Sequence, residues 1–277
     1  MRRFPCPAAF TLVELLVVIT IIVVLLALLA PAMEKAIYQA ELAVCGSSLE
    51  AISTGITVYA MDHKRRYPYR PRITDQRTRA DIQNVLSYNV PDDVTDDLRP
   101  RLRNYFSVQR VMQCPLTQRV DLEEDLENTV VFASYQMWFS WRYRYSGKVY
   151  PGMFKMGDRV EFLDDRFDVL ASDIFANETN NVQASHPDYE GRTTNIVWQR
   201  KVTLGAELGD EGAGIRGTVS LWAGVAGTID RQFVYVDGSV ERFNGLRFQE
   251  TQTMVRLPWN SNSAQFDEGK GTFLPRR

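Results

Sequence analysis

The sequence predicts an α+β fold in which one long N-terminal helix packs on an antiparallel β-sheet. Three observations predict it: an apolar run from Phe10 to Met33, apolar residues recurring at helical spacing as far as Tyr59, and short aromatic and β-branched segments from about Val130 onward. The expected organisation is a cytoplasmic leader at 1–9 and a transmembrane half-helix at 10–33. An amphipathic half-helix at 34–66 and an extracytoplasmic α+β domain at 67–277 complete it. With 277 residues, 45% of them apolar, the chain is long enough to bury one globular core beside an anchor.

The first element is FTLVELLVVITIIVVLLALLAPAM, in which only Thr11, Glu14 and Thr20 carry polar side chains. At about 1.5 Å of rise per residue it spans a bilayer core. Arg2 and Arg3 precede it, so the positive-inside rule puts residues 1–9 in the cytoplasm and the rest of the chain outside. Glu14 is the informative residue, because a carboxylate in hydrocarbon costs about 2.5–3.5 kcal/mol on insertion scales. A cut between Ala9 and Phe10 would create an α-amino group about one helical turn away, a natural cationic partner within the chain or from a neighbour. The alternative is that Glu14 snorkels to the interface. A secretory signal cut after Ala32 would explain the small residues around Pro31, but the run is longer than such signals carry and contains Glu14. The arginine pair alone is a weak twin-arginine signal. Cys6 precedes the apolar run, which is the wrong side for lipid attachment.

The second element continues the first. Leu42, Cys45, Leu49, Ile52, Ile56 and Tyr59 alternate steps of three and four, the mark of a helix with one buried stripe. Pro31 bends such a helix without ending it, so one helix is expected over about 10–63. The cations His63 to Arg66 suit its C-terminal end, and Pro68 supplies the stop. Residues 67–130, rich in Arg, Asp and Pro, suggest loops with one or two short helices such as 78–88. The run VVFASYQMWFSWRYRY, then DVLASDIF, TNIVWQRKVTL and GTVSLWAGV, have strand texture. The clearest local signal is FVYVDGSVERF at 233–243, where Asp237-Gly238 predicts a hairpin turn with glycine supplying positive φ.

Composition and motifs exclude several chemistries. With 32 basic and 34 acidic residues there is no single-sign field to attract nucleic acid. Two histidines, His63 and His186, cannot form a histidine-rich metal site, and no HExxH, Walker loop or nucleophile elbow occurs. The pairs Asp92-Asp93, Asp96-Asp97 and Asp164-Asp165 offer oxygen to Ca²⁺, but their spacing supports no site, so no cofactor and no metal ligand is named. The glycine-rich GAELGDEGAGIRG at 205–217 lacks a Lys-Ser/Thr terminus and is expected to connect strands. The aromatics Trp138, Phe139, Trp141, Tyr143 and Tyr145 are expected to alternate along one strand, chiefly as core. Cys45 lies on the buried stripe and Cys114 in the domain. Outside the cytoplasm a disulfide between them would contribute on the order of 4 kcal/mol, and two buried free thiols are the alternative.

Phe10-Thr11-Leu12-Val13-Glu14, the unbroken apolar run and Pro31 resemble the prepilin-type cleavage and methylation segment of type IV pilins and type II secretion pseudopilins. The resemblance implies cleavage after Ala9, N-methylation of Phe10, and an assembly role for Glu14. The family residue before the cut is usually Gly, and here it is Ala9. Weaker likenesses at Cys45 to Tyr59, Tyr67-Pro68, Cys114-Pro115, 168–173 and the Asp237-Gly238 hairpin are similar to a pseudopilin-like group. That group often has His where this chain has Ser239. The resemblance further implies a non-enzymatic filament subunit of the inner membrane with a periplasmic or extracellular domain, minor or specialised given its size. Its implied partners are prepilin peptidase, other pilin or pseudopilin subunits, an inner-membrane assembly platform and the bilayer, with no nucleic acid. A membrane-anchored binding module that never polymerises is the alternative.

Overall fold

The structure is a computed structural model that describes residues 11–69, 85–89, 96–117, 122, 129–140, 143–145, 148–150, 152–162, 164–178, 181–186, 189, 200–203, 214–215, 220–224, 228–246, 254–258 and 271–275. The protein is α+β, with a long apolar N-terminal helix and antiparallel sheet. Two compact units share the chain, residues 1–41 and 42–277.

The helix runs without interruption from Leu12 to Asp62, 51 residues, with Pro31 inside it. In the first unit its apolar side chains are exposed around the whole circumference, from Leu12 to Leu29. Among the described residues it is the one helix long and apolar enough to cross a membrane.

Within the second unit the helix buries one stripe. Leu42, Cys45, Leu49, Ile52, Ile56 and Tyr59 are all at most 9% exposed, and each aliphatic side chain so covered contributes about 1.5–3 kcal/mol. The helix stops before Pro68 because the backbone reverses hand. Lys64 and Arg65 have φ of 54° and 64°, and the Arg65 N–H reaches the Ala60 carbonyl at 2.7 Å. That is the closure of a Schellman motif, built here without the usual glycine.

The sheet facing this stripe has the order Val240–Leu246, Thr228–Tyr235, Val169–Asp173, Tyr135–Met137, every neighbour antiparallel. Val169–Asp173 is buried at every residue, as expected of a strand covered on both faces. Two polar contacts pin helix to sheet: Gln232 Nε2 donates to the Leu42 carbonyl at 2.8 Å, and Ser53 Oγ to the Tyr235 carbonyl at 3.3 Å. Gly46 and Gly55 allow the close fit. A Cβ on Gly46 would stand 2.8 Å from Gln232 Oε1, and one on Gly55 would overlap the ring of Phe106. At about 100° per residue the two glycines flank opposite edges of the buried stripe.

The hairpin of Thr228–Tyr235 and Val240–Leu246 turns through Val236, Asp237 and Gly238. The Gly238 N–H reaches the Tyr235 carbonyl at 2.9 Å and the Tyr235 N–H the Ser239 carbonyl at 3.0 Å. This is a three-residue loop ending in a left-handed glycine, φ 84°. Asp237 Oδ1 accepts from the Ser239 N–H and hydroxyl.

A six-stranded antiparallel sheet links Arg200–Thr203, Ser220–Gly224, Asn181–Ala184, Phe175–Glu178, Gly271–Pro275 and Met254–Pro258 in that order. Several local expectations are corrected. Residues 85–88, expected as the end of a short helix over 78–88, belong to the strand Val85–Asn89, which pairs with Thr129–Phe132; 78–84 lies outside the described residues. Among the described residues between 67 and 130 the helices are Arg99–Leu102 and Val108–Val111. Gly214–Ile215, expected as connection, pairs parallel with Thr129 and Val130, and the rest of 205–217 lies outside the described residues. The aromatic run is not one alternating strand. It breaks at Ser140, φ 51°, and the adjacent Trp138 and Phe139 are both buried; Trp141 lies outside the described residues. Of the acidic pairs, Asp97 is engaged by Arg99, whose Nη2 stands 2.8 Å from Oδ2, and Asp92-Asp93 lies outside the described residues.

Candidate functional site

The start of the helix carries the first candidate. Ala9 and Phe10 lie outside the described residues. Thr11 and Glu14 form a reciprocal cap: the Glu14 N–H donates to Thr11 Oγ1 at 3.3 Å, while the Thr11 N–H and hydroxyl donate to Glu14 Oε2 at 2.9 and 2.7 Å. This is the capping box, S/T-x-x-E, which satisfies N–H groups that a helix start leaves without intrahelical partners. Glu14 therefore has a local structural role beside any role between chains. The Thr-x-x-Glu spacing was the signal that could have disclosed it.

A second site lies inside the globular unit, and its geometry was not foreseen. The helix stripe supplies Cys45, and the Cys114-Pro115 turn supplies Cys114, whose carbonyl accepts from the Thr117 N–H and hydroxyl at 3.0 and 2.8 Å. His186 follows Asn181–Ala184. Next to it, the Ser185 N–H donates to the Ile174 carbonyl at 3.0 Å and Ser185 Oγ accepts from the Ile174 N–H at 3.1 Å. Those bonds tie the histidine to the end of Val169–Asp173. One ligand atom each from Cys45, Cys114 and His186 lie within 4.8 Å of one another, and all three residues are buried. The two cysteines are unbridged.

Asp173 stands beside them, Oδ2 at 3.0 Å from His186 Nε2 and accepting the Gln232 N–H at 2.7 Å. The His186 contact is close but off-axis, so neither ring nitrogen makes an aligned hydrogen bond among the described residues, nor does Asp173 Oδ1. Burial alone would lower the imidazole. The nearby Asp173 carboxylate outweighs it, with a smaller contribution from Cys45, and holds His186 up at about 10. The Cys45 thiol is raised by its hydrogen bond with Cys114, by burial and by the Cys114 charge, against a lowering by His186.

Behind Asp173 lies a polar lattice. Arg231 Nη2 donates to Gln136 Oε1 at 2.9 Å and to Ser172 Oγ at 3.0 Å, and Nε to the Asp173 carbonyl at 3.2 Å. Ser172 Oγ also accepts Trp138 Nε1–H at 3.1 Å and donates to the Asp173 carbonyl at 3.2 Å, which uses its full capacity. The guanidinium sits 4.6 Å from the Phe233 ring centre. Burial pulls Arg231 down and the Asp173 charge pushes it back, to about 9.

No family model, curated protein or solved structure matches the chain.

A cysteine, a histidine and an aspartate in sequence of contact have the composition of a nucleophile, base and orienting acid. Here Cys45 and His186 have no exposed surface and Asp173 has 1%, and the raised Cys45 thiol is the opposite of an activated nucleophile. The arrangement suits binding or bridging inside a core. Sequence reasoning reached Cys45 and Cys114 as either a bridge or two buried free thiols, and the structure places them together as buried free thiols. It missed His186, Asp173 and Arg231, for which the one available signal was that His186 is one of only two histidines.

Proposed function

We propose that this chain is a pilin- or pseudopilin-like subunit, processed before Phe10 by a prepilin peptidase, anchored in the inner membrane and assembled through its N-terminal helix. The observation that carries the reading is the uninterrupted helix Leu12–Asp62. Its first part is apolar and exposed on all sides, a surface suited to lipid or to like helices. Its second part is the spine of an antiparallel α+β unit. In this reading Glu14 meets the Phe10 amine of a neighbouring subunit, the domain lies outside the cytoplasm, and the subunit is a minor or specialised member of a type II secretion pseudopilus or type IV pilus-like filament.

The test is intact mass and N-terminal sequencing of protein made with and without a prepilin peptidase. A peptidase-dependent start at methylated Phe10 is the expected result. A start at Met33 would mean a secreted domain and end the pilin reading.

The capping box favours a second reading, an anchored extracytoplasmic binding module that does not polymerise. It gives Glu14 a use that needs no neighbour. An intact N-terminus in the presence of peptidase would put that module first.

A further inference from the structure

We propose that Cys45, Cys114 and His186 form a binding site for a thiophilic divalent transition metal of the zinc type, with Asp173 as the residue that positions the histidine. This stands apart from how the N-terminal helix is used.

Thiolate sulfur and imidazole nitrogen are the donors zinc takes, and three such atoms within 4.8 Å of one another can share one ion. A disulfide would use only the two sulfurs. It would leave His186 sealed in the core with both ring nitrogens lacking an aligned hydrogen bond among the described residues, an arrangement that buried polar groups rarely adopt. A metal on one ring nitrogen accounts for the histidine, and the Asp173 carboxylate at 3.0 Å from Nε2 supplies the carboxylate to histidine contact that commonly orients a metal-binding imidazole.

The buried charges also balance. On binding, each thiol and the His186 imidazolium give a proton to solvent, so two thiolates and a neutral imidazole meet one M²⁺. The negative charge of Asp173 is then opposed by Arg231, which is 2% exposed and bonded to the Asp173 carbonyl. The three ligands come from the helix, the 114 turn and the segment after Asn181–Ala184, so one ion would fasten elements remote in sequence. Burial makes the role structural, since no substrate reaches the site.

The experiment uses the full chain, purified in detergent under reductant, stripped with chelator and titrated with Co²⁺. Expected are one equivalent bound, a thiolate-to-cobalt absorption band, and displacement by Zn²⁺. Cys114→Ser and His186→Asn should abolish stoichiometric binding, and Asp173→Asn should weaken it by about 10–100-fold while keeping the spectrum. Circular dichroism of each variant separates lost ligands from lost fold. Because a variant can fail to fold, the wild-type chain is decisive: folded, reduced protein that takes up no Co²⁺ overturns the proposal. So does protein isolated without reductant that contains no metal and has an intact mass showing Cys45 and Cys114 joined.

Discussion

Asp173 Oδ2 lies 3.0 Å from His186 Nε2, and neither side chain is more than 1% exposed. On its other side the same residue is held by Arg231 through its carbonyl. Arg231→Met keeps most of the volume but removes the buried cation behind Asp173 and leaves Gln136 Oε1 without this donor. Breaking a buried ionic network from one side costs about 3–5 kcal/mol. We expect Arg231→Met to lower the unfolding free energy by that much, read as a lower urea midpoint at unchanged slope, and Arg231→Lys to recover only part of it, since a lysine cannot serve Gln136, Ser172 and the Asp173 carbonyl in one plane. An unfolding free energy within about 1 kcal/mol of the parent, the net worth of one hydrogen bond, would show that the lattice does not act as a unit.

Glu14 can be made to separate its two roles. Gln serves in a capping box as Glu does, so Glu14→Gln should keep the helix start and membrane insertion of the parent while losing the charge that pairs with a neighbour. Glu14→Ala should lose the cap and the charge together, so that assembly is lost while membrane insertion is retained. If filament assembly, scored by sedimentation and microscopy, survives Glu14→Gln, the interchain pairing is wrong.

The C-terminal end of the helix and the hairpin carry opposite backbone choices. Lys64 occupies the left-handed position where glycine is preferred, at φ 54°, and such a conformation costs a non-glycine residue about 1–2 kcal/mol. Lys64→Gly should therefore raise stability by about 1 kcal/mol. Gly238 at φ 84° is the reverse case, and Gly238→Ala should lower stability by a similar amount. Thermal melts of both variants check the signs.

Gly55 faces the Phe106 ring so closely that a Cβ would overlap Cδ1. Gly55→Ala would gain helix propensity of about 1 kcal/mol in open surroundings, but overpacking a core costs about 1–3 kcal/mol. We expect net destabilisation, relieved in the double variant with Phe106→Leu. Additive single effects in that cycle would show that the contact is not the cause.

What the sequence disclosed was local. The stripe Leu42, Cys45, Leu49, Ile52, Ile56 and Tyr59 is written in steps of three and four, and all six are buried in the structure. The hairpin is written in Asp237-Gly238 and the alternation around it. What stayed hidden was set by distant partners. Residues 85–89 are a strand because Thr129–Phe132 pairs with them, and nothing within five residues says so. The aromatic run looked like one strand because its aromatic residues favour strands, yet Ser140 at positive φ breaks it. His186 and Asp173 meet because Ser185 and Ile174 join two sheets, a relationship that no spacing encodes.

The contacts that seat the helix have a consequence for synthesis. Gln232 reaches Leu42 across 190 residues, and Ser53 reaches Tyr235 across 182. Contacts of such high sequence separation form late, because a long loop must close before they return anything. The ribosome makes the helix well before the strand that covers part of it, so the positions facing Thr228–Tyr235 stay uncovered until that strand emerges. A chain cut short before that strand lacks the cover for its own first element, and becomes a substrate for chaperones and proteases rather than a smaller version of the same fold.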